Sequence, residues 1–271
     1  MIQRPYLLYS YPWMPYPRRV LIFLRERNIP QHLVRPVAVS DPGPNGDRAE
    51  EGFPPRPPGS LPVLAVPRAD DDGYDHIGDS VAIMRYLDGC CQRGEHGFPE
   101  MKKKEMTPME EARQVAFESL ANELTSSWNG VRLMGTAAGP PGLSFPKGSK
   151  ELLRWIHRFL TAIEGQHLSH EMIDDMIQRT ATVAEILLYQ FLDFTHDCYG
   201  VDLTIGSGEI IKEVYGRDTK DEFPLLRRFW KEFRERKSAI REGREMVPDQ
   251  FHRNMTNWAE GILESRNIVR K

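Results

Sequence analysis

Proline placement divides this chain. Fourteen of its 21 prolines lie before Gly89, whereas every lysine lies after it. Proline fixes φ and removes a backbone N–H, so it suits turns, strand edges and helix starts and is costly inside helices. The first third is therefore expected to be an α/β module with long loops, and the remainder mostly helical. A length of 271 residues is enough for two cores. Lysine and arginine number 36 against 39 acids, which argues against a phosphate backbone as the main partner. Charge does not follow the proline boundary: ten basic and eleven acidic residues precede Gly89, and 26 and 28 follow it.

Within the first third, Tyr6 to Ser10 (YLLYS) reads as a strand, followed by a stiff loop through Pro12, Pro15 and Pro17. Val20, Phe23 and Leu24 then fall at helical spacing, with Arg18, Arg19, Arg25 and Arg27 assigned to the wet side. Gln31 to Val39 reads as a second strand and Ser40 to Pro58 as a long loop. Val63 to Val66 and Tyr74 to Ile77 read as two strands joined by an acidic turn. Asp79 or Ser80 then caps a helix carrying Ile83, Tyr86 and Leu87. The order is β-α-β, loop, β-β-α.

Five apolar stripes follow, most simply the buried faces of a helical bundle. They run through Met109, Ala112, Ala116, Leu120 and Leu124, then from Leu152 to Ile163 with Trp155 and Phe159 included. The third runs from Ile173 to Phe194, the fourth through Leu226, Phe229, Trp230 and Phe233, and the fifth through Met255, Trp258, Ala259 and Ile262. Gly135 to Gly148 reads as a loop.

Cys90, Cys91 and Cys198 form neither a disulfide framework nor a metal spacing and are expected to be idle thiols of a reducing compartment. His167 and His170 lack further metal ligands, so no metal is expected. In His196-Asp197-Cys198 sequence neighbours do not face one another on a helix, which argues against a nucleophile. No secretory leader or membrane-length apolar run is visible, and the expected address is the cytoplasm.

Three features suit chemistry. The loop Ser10 to Pro17 leads into a helix N-terminus, which favours an anion. In Gly59-Ser60-Leu61-Pro62-Val63, a proline directly before a strand is a candidate cis peptide. At Asp79-Ser80 an acid and a hydroxyl open a helix, as a cap alone or also as a grip for an α-amino and α-carboxylate pair.

Taken in order, SYPWMPYPRRVLIFL, GSLPVL and DSVAIMRYL resemble the cytosolic glutathione transferase superfamily, and Phe223-Pro224-Leu225-Leu226 resembles a late helix of its second domain. The resemblance implies a thioredoxin-like α/β N-terminal domain over 1–90 and an all-α C-terminal helical-bundle domain over 105–271. It implies glutathione as co-substrate, a hydrophobic small-molecule substrate bound between the domains, and a homodimer. Leu61 would pair through its backbone with the cysteinyl part of glutathione, with Pro62 as the cis proline. Asp79 and Ser80 would hold the γ-glutamyl end, and Arg56 or Arg18 would meet the glycyl carboxylate.

One departure bears on activity. The family's Ser or Cys position falls on Met14, which has neither hydroxyl nor thiol. The thiolate donor is then Tyr11 or Ser10, Tyr16, or a backbone N–H. Lowering a thiol pKa of about 8.5 by about two takes about 2.7 kcal/mol of preference for the thiolate. Two readings follow: a glutathione transferase-like enzyme acting on a hydrophobic electrophile, or a non-catalytic binding or scaffold protein of the same fold.

Overall fold

In the computed structural model, which describes residues 4–40, 48–101, 105–134, 145–253 and 255, the chain forms two units. The first comprises Met1–Glu105 together with Ile240–Met246, and the second Met106–Ala239 with Val247–Lys271. The sequence reading gave residues 240–246 to the helical domain; their contacts lie with the first unit.

The first unit is built on strands β1 (Tyr6–Ser10), β2 (Val34–Ala38), β3 (Val63–Pro67) and β4 (Tyr74–Gly78), ordered β2-β1-β3-β4. Strand β1 runs parallel to β2, Tyr6 opposite Val34 and Ser10 opposite Ala38; β3 is antiparallel to both β1 and β4. Every residue of β1 is buried, because both faces of this central strand are covered, and so its sequence does not alternate. One face carries Leu7, Tyr9, Val37, Val39 and Ala65. On the other, the Tyr6 ring meets Tyr86 and Phe98. Tyr86 lies on helix α2 (Ser80–Arg93), which packs against helix α1 (Pro15–Glu26) and against β3 and β4.

The arginines of α1 and of its C-cap, Arg27, depart from the sequence pattern. Arg18 and Arg19 are wholly buried and Arg27 nearly so. Each meets a partner from elsewhere in the chain: Arg18 donates to the Glu245 carboxylate at 2.6 Å, Arg27 to Asp88 at 2.9 Å, and Arg19 to the Ser80 hydroxyl at 3.4 Å. Periodicity counts arginine as polar, but a guanidinium that finds an anion or hydroxyl can be interior. Arg25 also reaches Glu245 and donates to the Ile240 carbonyl at 3.1 Å, and Arg244 pairs with Glu50 at 3.0 Å. Residues 240–246 are thus fastened to α1 and to the segment after β2.

The second unit contains α3 (Pro108–Met134), α4 (Pro146–Gln166), α5 (His170–Gln178), α6 (Val183–Tyr199), a hairpin of β5 (Ile210–Lys212) and β6 (Asp218–Lys220), and α7 (Pro224–Arg234). Helix α6 is buried on nearly all sides and packs against α3 and α7. The third stripe of the sequence reading is two helices. Thr182 starts α6 through a capping box with Glu185, and Arg179, bonded to the same carboxylate, holds the break. The buried face of α3 begins at Phe117, and Met109 is 62% exposed among the described residues. Trp155, placed on a buried stripe by spacing, lies at the surface beneath the Arg158 guanidinium, 3.9 Å from the ring centre. The sequence reading did not include the hairpin, although the five residues between its strands contain Gly216, at φ 90°. Its return is pinned by Asp221, whose carboxylate takes the Ser207 N–H and hydroxyl at 2.9 and 2.8 Å and lies 3.1 Å from His157 Nδ1. In the fifth stripe Met255 is buried, while Trp258, Ala259 and Ile262 lie outside the described residues, as does most of the Gly135 to Gly148 loop.

Two outcomes follow from these charges. Glu245→Ala leaves Arg18 facing no carboxylate from this segment and should cost about 3–5 kcal/mol, as does loss of one partner of a buried pair. Thermal denaturation reads this directly, and an unchanged melting temperature would mean that Arg18 is satisfied without Glu245. Burial alone would raise the Asp221 pKa, but His157 and the two Ser207 donors outweigh it and hold the carboxyl below its ordinary range. Its stabilisation is therefore full above the unfolded value of about 3.9 and is lost as pH falls through the lower folded value. Asp221→Asn should cost about 1–3 kcal/mol at neutral pH, and the difference from wild type should shrink as acid protonates Asp221.

Candidate functional site

Strand register brings three chain segments to one end of the sheet. Tyr9 lies opposite Val63, and Val63 opposite Gly78. The residues just beyond these pairs are Tyr11 after β1, Leu61 and Pro62 before β3, and Asp79 and Ser80 after β4. The Leu61–Pro62 peptide is cis. Among the described residues, no backbone hydrogen bond reaches the Leu61 N–H or carbonyl, so this main chain is open to an extended ligand. Tyr11 and Leu61 pack against the same apolar cluster as Phe53 and Tyr74.

Asp79 caps α2. Its Oδ1 accepts from Val81 N at 2.8 Å and Ala82 N at 3.0 Å, which leaves Oδ2 directed to neither. The residue is exposed and sits at φ 67°, ψ 127°, a conformation costing a non-glycine residue about 1–3 kcal/mol. Ser80 is buried, and its hydroxyl accepts from Arg19. Arg19 stacks over the Tyr16 ring at 4.7 Å. Burial pushes its pKa down to about 10, against the opposing pull of Tyr16 and Asp79, so it remains charged at neutral pH. A fixed cation therefore lies under the α2 N-terminus, where the helix already favours an anion. Sequence reasoning missed this residue. The available signal was its spacing from Tyr16 and Phe23, which share its helix face.

The start of α1 is poorer in donors. Met14 is the N-cap and makes no side-chain cap bond. Pro15 and Pro17 have no N–H, so of the first three helical residues only Tyr16 offers one. Ser10 is wholly buried, and strand alternation directs it to the face opposite Tyr9. Arg18 is committed to Glu245. Arg56 donates to the Pro57 and Gly59 carbonyls at 3.1 and 2.8 Å, ordering the turn before Leu61.

The other sequence features fall elsewhere. Among the described residues no cluster able to hold a metal occurs, and His167 stacks on Phe117 at 5.1 Å. His196 Nδ1 does approach Asp197, at 2.8 Å, unlike the expectation for helix neighbours, but Cys198 is buried. Burial raises the Cys90 and Cys91 thiols, the latter to about 11, which suits inert side chains. Trp128 is interior, edge-on to Tyr199. No helix among the described residues is long and apolar enough to cross a membrane.

Residues 13–90 match the glutathione S-transferase N-terminal domain family. No curated protein sequence matches the chain. Among solved structures, a glutathione S-transferase from Methylobacillus flagellatus KT with glutathione bound has a TM-score of 0.56 at 20% identity, covering 86% of this chain and 96% of that one. A trimeric glutathione transferase from Leishmania has a TM-score of 0.55 at 16% identity over 95% of this chain and 48% of that one. A maleylacetoacetate isomerase from Anaeromyxobacter dehalogenans 2CP-1, with glutathione in its active site, has 0.51 at 19% identity over 90% and 97%. At these identities the likeness establishes a shared fold.

The strain at residue 79 can be separated from its cap. Asp79→Ala loses the cap and keeps the unfavourable φ, and should cost about 1–3 kcal/mol; Asp79→Gly relieves the backbone and should cost roughly a few tenths. Melting temperatures should fall in the order wild type, Gly, Ala. An alanine variant above the glycine variant would contradict the backbone argument.

Proposed function

We propose that this chain, whose residues 13–90 match the glutathione S-transferase N-terminal domain family, binds glutathione across this sheet end and joins its thiol to a hydrophobic, electrophilic small molecule. The observation that carries the reading is the exposed Asp79 carboxylate, held by the α2 N-terminus beside the open Leu61 main chain. In this reading Asp79 Oδ2 takes the ligand's α-amino group. The α-carboxylate sits at the start of α2, by Ser80 and above the buried Arg19 cation. The Leu61 backbone pairs with the cysteinyl residue, and the ordered turn at Arg56 lies near the glycyl end.

Tyr11 is the better candidate for stabilising the thiolate. It shares a cluster with Leu61, whereas Ser10 faces the other side of the sheet. A phenol hydroxyl can donate to a thiolate, and the single N–H in the first turn of α1 adds little to it. That same poverty of donors favours the second reading, a binding or scaffold protein that holds glutathione without activating it. Assembly as a homodimer belongs to the first reading as well.

Glutathione at about 100 times its dissociation constant should add about 2.7 kcal/mol, or about 5–10 °C in melting temperature. The absence of a shift at millimolar concentration would remove the binding claim. With a panel of aryl halides, epoxides and enones, Tyr11→Phe should retain the shift and lose roughly tenfold or more in turnover near neutral pH. Its deficit should narrow as pH passes the ordinary thiol value of about 8.5, where the thiol ionises without help. Binding with no turnover by wild type would leave the scaffold reading, and full activity in Tyr11→Phe would acquit the tyrosine.

A further inference from the structure

The first unit contains a cavity of about 470 Å³ that the proposed glutathione site does not use. Its position follows from strand alternation. Leu7, Tyr9, Tyr11 and Leu61 lie on one face of the sheet. Ser10 and its register partner Ala38, with Pro36 and Val34 at alternate positions along β2, line the cavity from the other. Leu21 and Leu24, three apart on α1, form the opposite wall. The end wall is made by Glu242, Arg244 and Glu245, held there by Glu245 on Arg18 and Arg25 and by Arg244 on Glu50. The volume is that of an ordinary small-molecule pocket.

Two observations specify the occupant. The Ser10 hydroxyl is wholly buried and, among the described residues, has no hydrogen-bond partner. A hydroxyl so placed is costly unless something supplies the missing bond. The charges at the cavity wall are matched within the protein, Arg25 with Glu245 and Arg244 with Glu50, while Glu242 is exposed to water. An ion would find no unmatched countercharge inside. Apart from Gln31, an exposed amide, apolar side chains and proline rings supply the rest of the lining.

We infer that this cavity is a second ligand site, taking a neutral, hydrophobic alcohol or phenol whose oxygen pairs with the Ser10 hydroxyl. The site stands on the opposite side of the sheet from the proposed glutathione trough, so both ligands bind together. The closing segment 240–246 makes one of its walls, and the site is complete only while that segment is docked.

The test uses the full chain and 2-naphthol, titrated by fluorescence with and without saturating glutathione. Saturable binding that glutathione does not displace is expected. Ser10→Ala should weaken it by about two- to tenfold, the worth of one hydrogen bond. The same variant without naphthol should melt no lower than wild type, since it removes an unpaired hydroxyl; a serine with a structural bond would give a lower value. Ala38→Phe should abolish binding by filling the space, with circular dichroism and melting checking its fold. If that variant does not fold, Ser10→Ala and the glutathione arm decide. No saturable binding, displacement by glutathione, or unchanged affinity in Ser10→Ala would each overturn the proposal.

Discussion

A guanidinium removed from water must be matched, and at Arg18 that requirement organises the first unit. The side chain has no exposed surface, and its carboxylate partner comes from Glu245, 227 residues along the chain. Because Arg25 shares that carboxylate and Arg244 reaches back to Glu50, a short segment late in the sequence becomes part of the small α/β fold. Without the match, α1 would carry a buried charge with no counterpart in that segment, and the wall beside β2 would be open. Desolvation makes such pairs weak sources of net stability, but their loss is severe. They fix where a segment lies more than they hold the unit together.

The same logic operates on a smaller scale beneath α2. Arg19 is interior because Ser80 and the Tyr16 ring receive it, and the Asp79 carboxylate lies close enough to pull on its protonation. The helix start, the cap and the buried cation all favour negative charge at one point, while Asp79 presents a carboxylate oxygen to the outside. In the proposed function, an amino acid end with one charge of each sign meets a complementary pair there. At α1 the balance differs. Two prolines in its first turn remove N–H groups that a helix start would otherwise offer, so a side-chain hydroxyl carries more of any thiolate stabilisation.

Much of the first unit was legible because its signals are local. The strands at Tyr6 to Ser10 and Tyr74 to Ile77, the helix opened by Asp79 and the cis bond before Pro62 each depend on a few adjacent residues. In the second unit apolar spacing found the helices but misplaced their limits. It joined α5 to α6 across the Arg179 break, counted Met109 and Trp155 as interior, and missed the hairpin before Asp221. Spacing reports which faces are alike; it does not report whether a neighbour exists to cover them.

By itself the sequence determined the division into a proline-rich α/β module and a helical remainder, because propensity, capping and turn chemistry act within a turn or two of the chain. It also placed Tyr11, Leu61, Pro62, Asp79 and Ser80 near element ends, where register gathers them. Only the tertiary structure decided that Arg18 and Arg19 are interior and that residues 240–246 close a cavity beside β2. Those outcomes depend on charges and surfaces that meet across the fold, and no local pattern specifies which distant carboxylate a buried arginine will find.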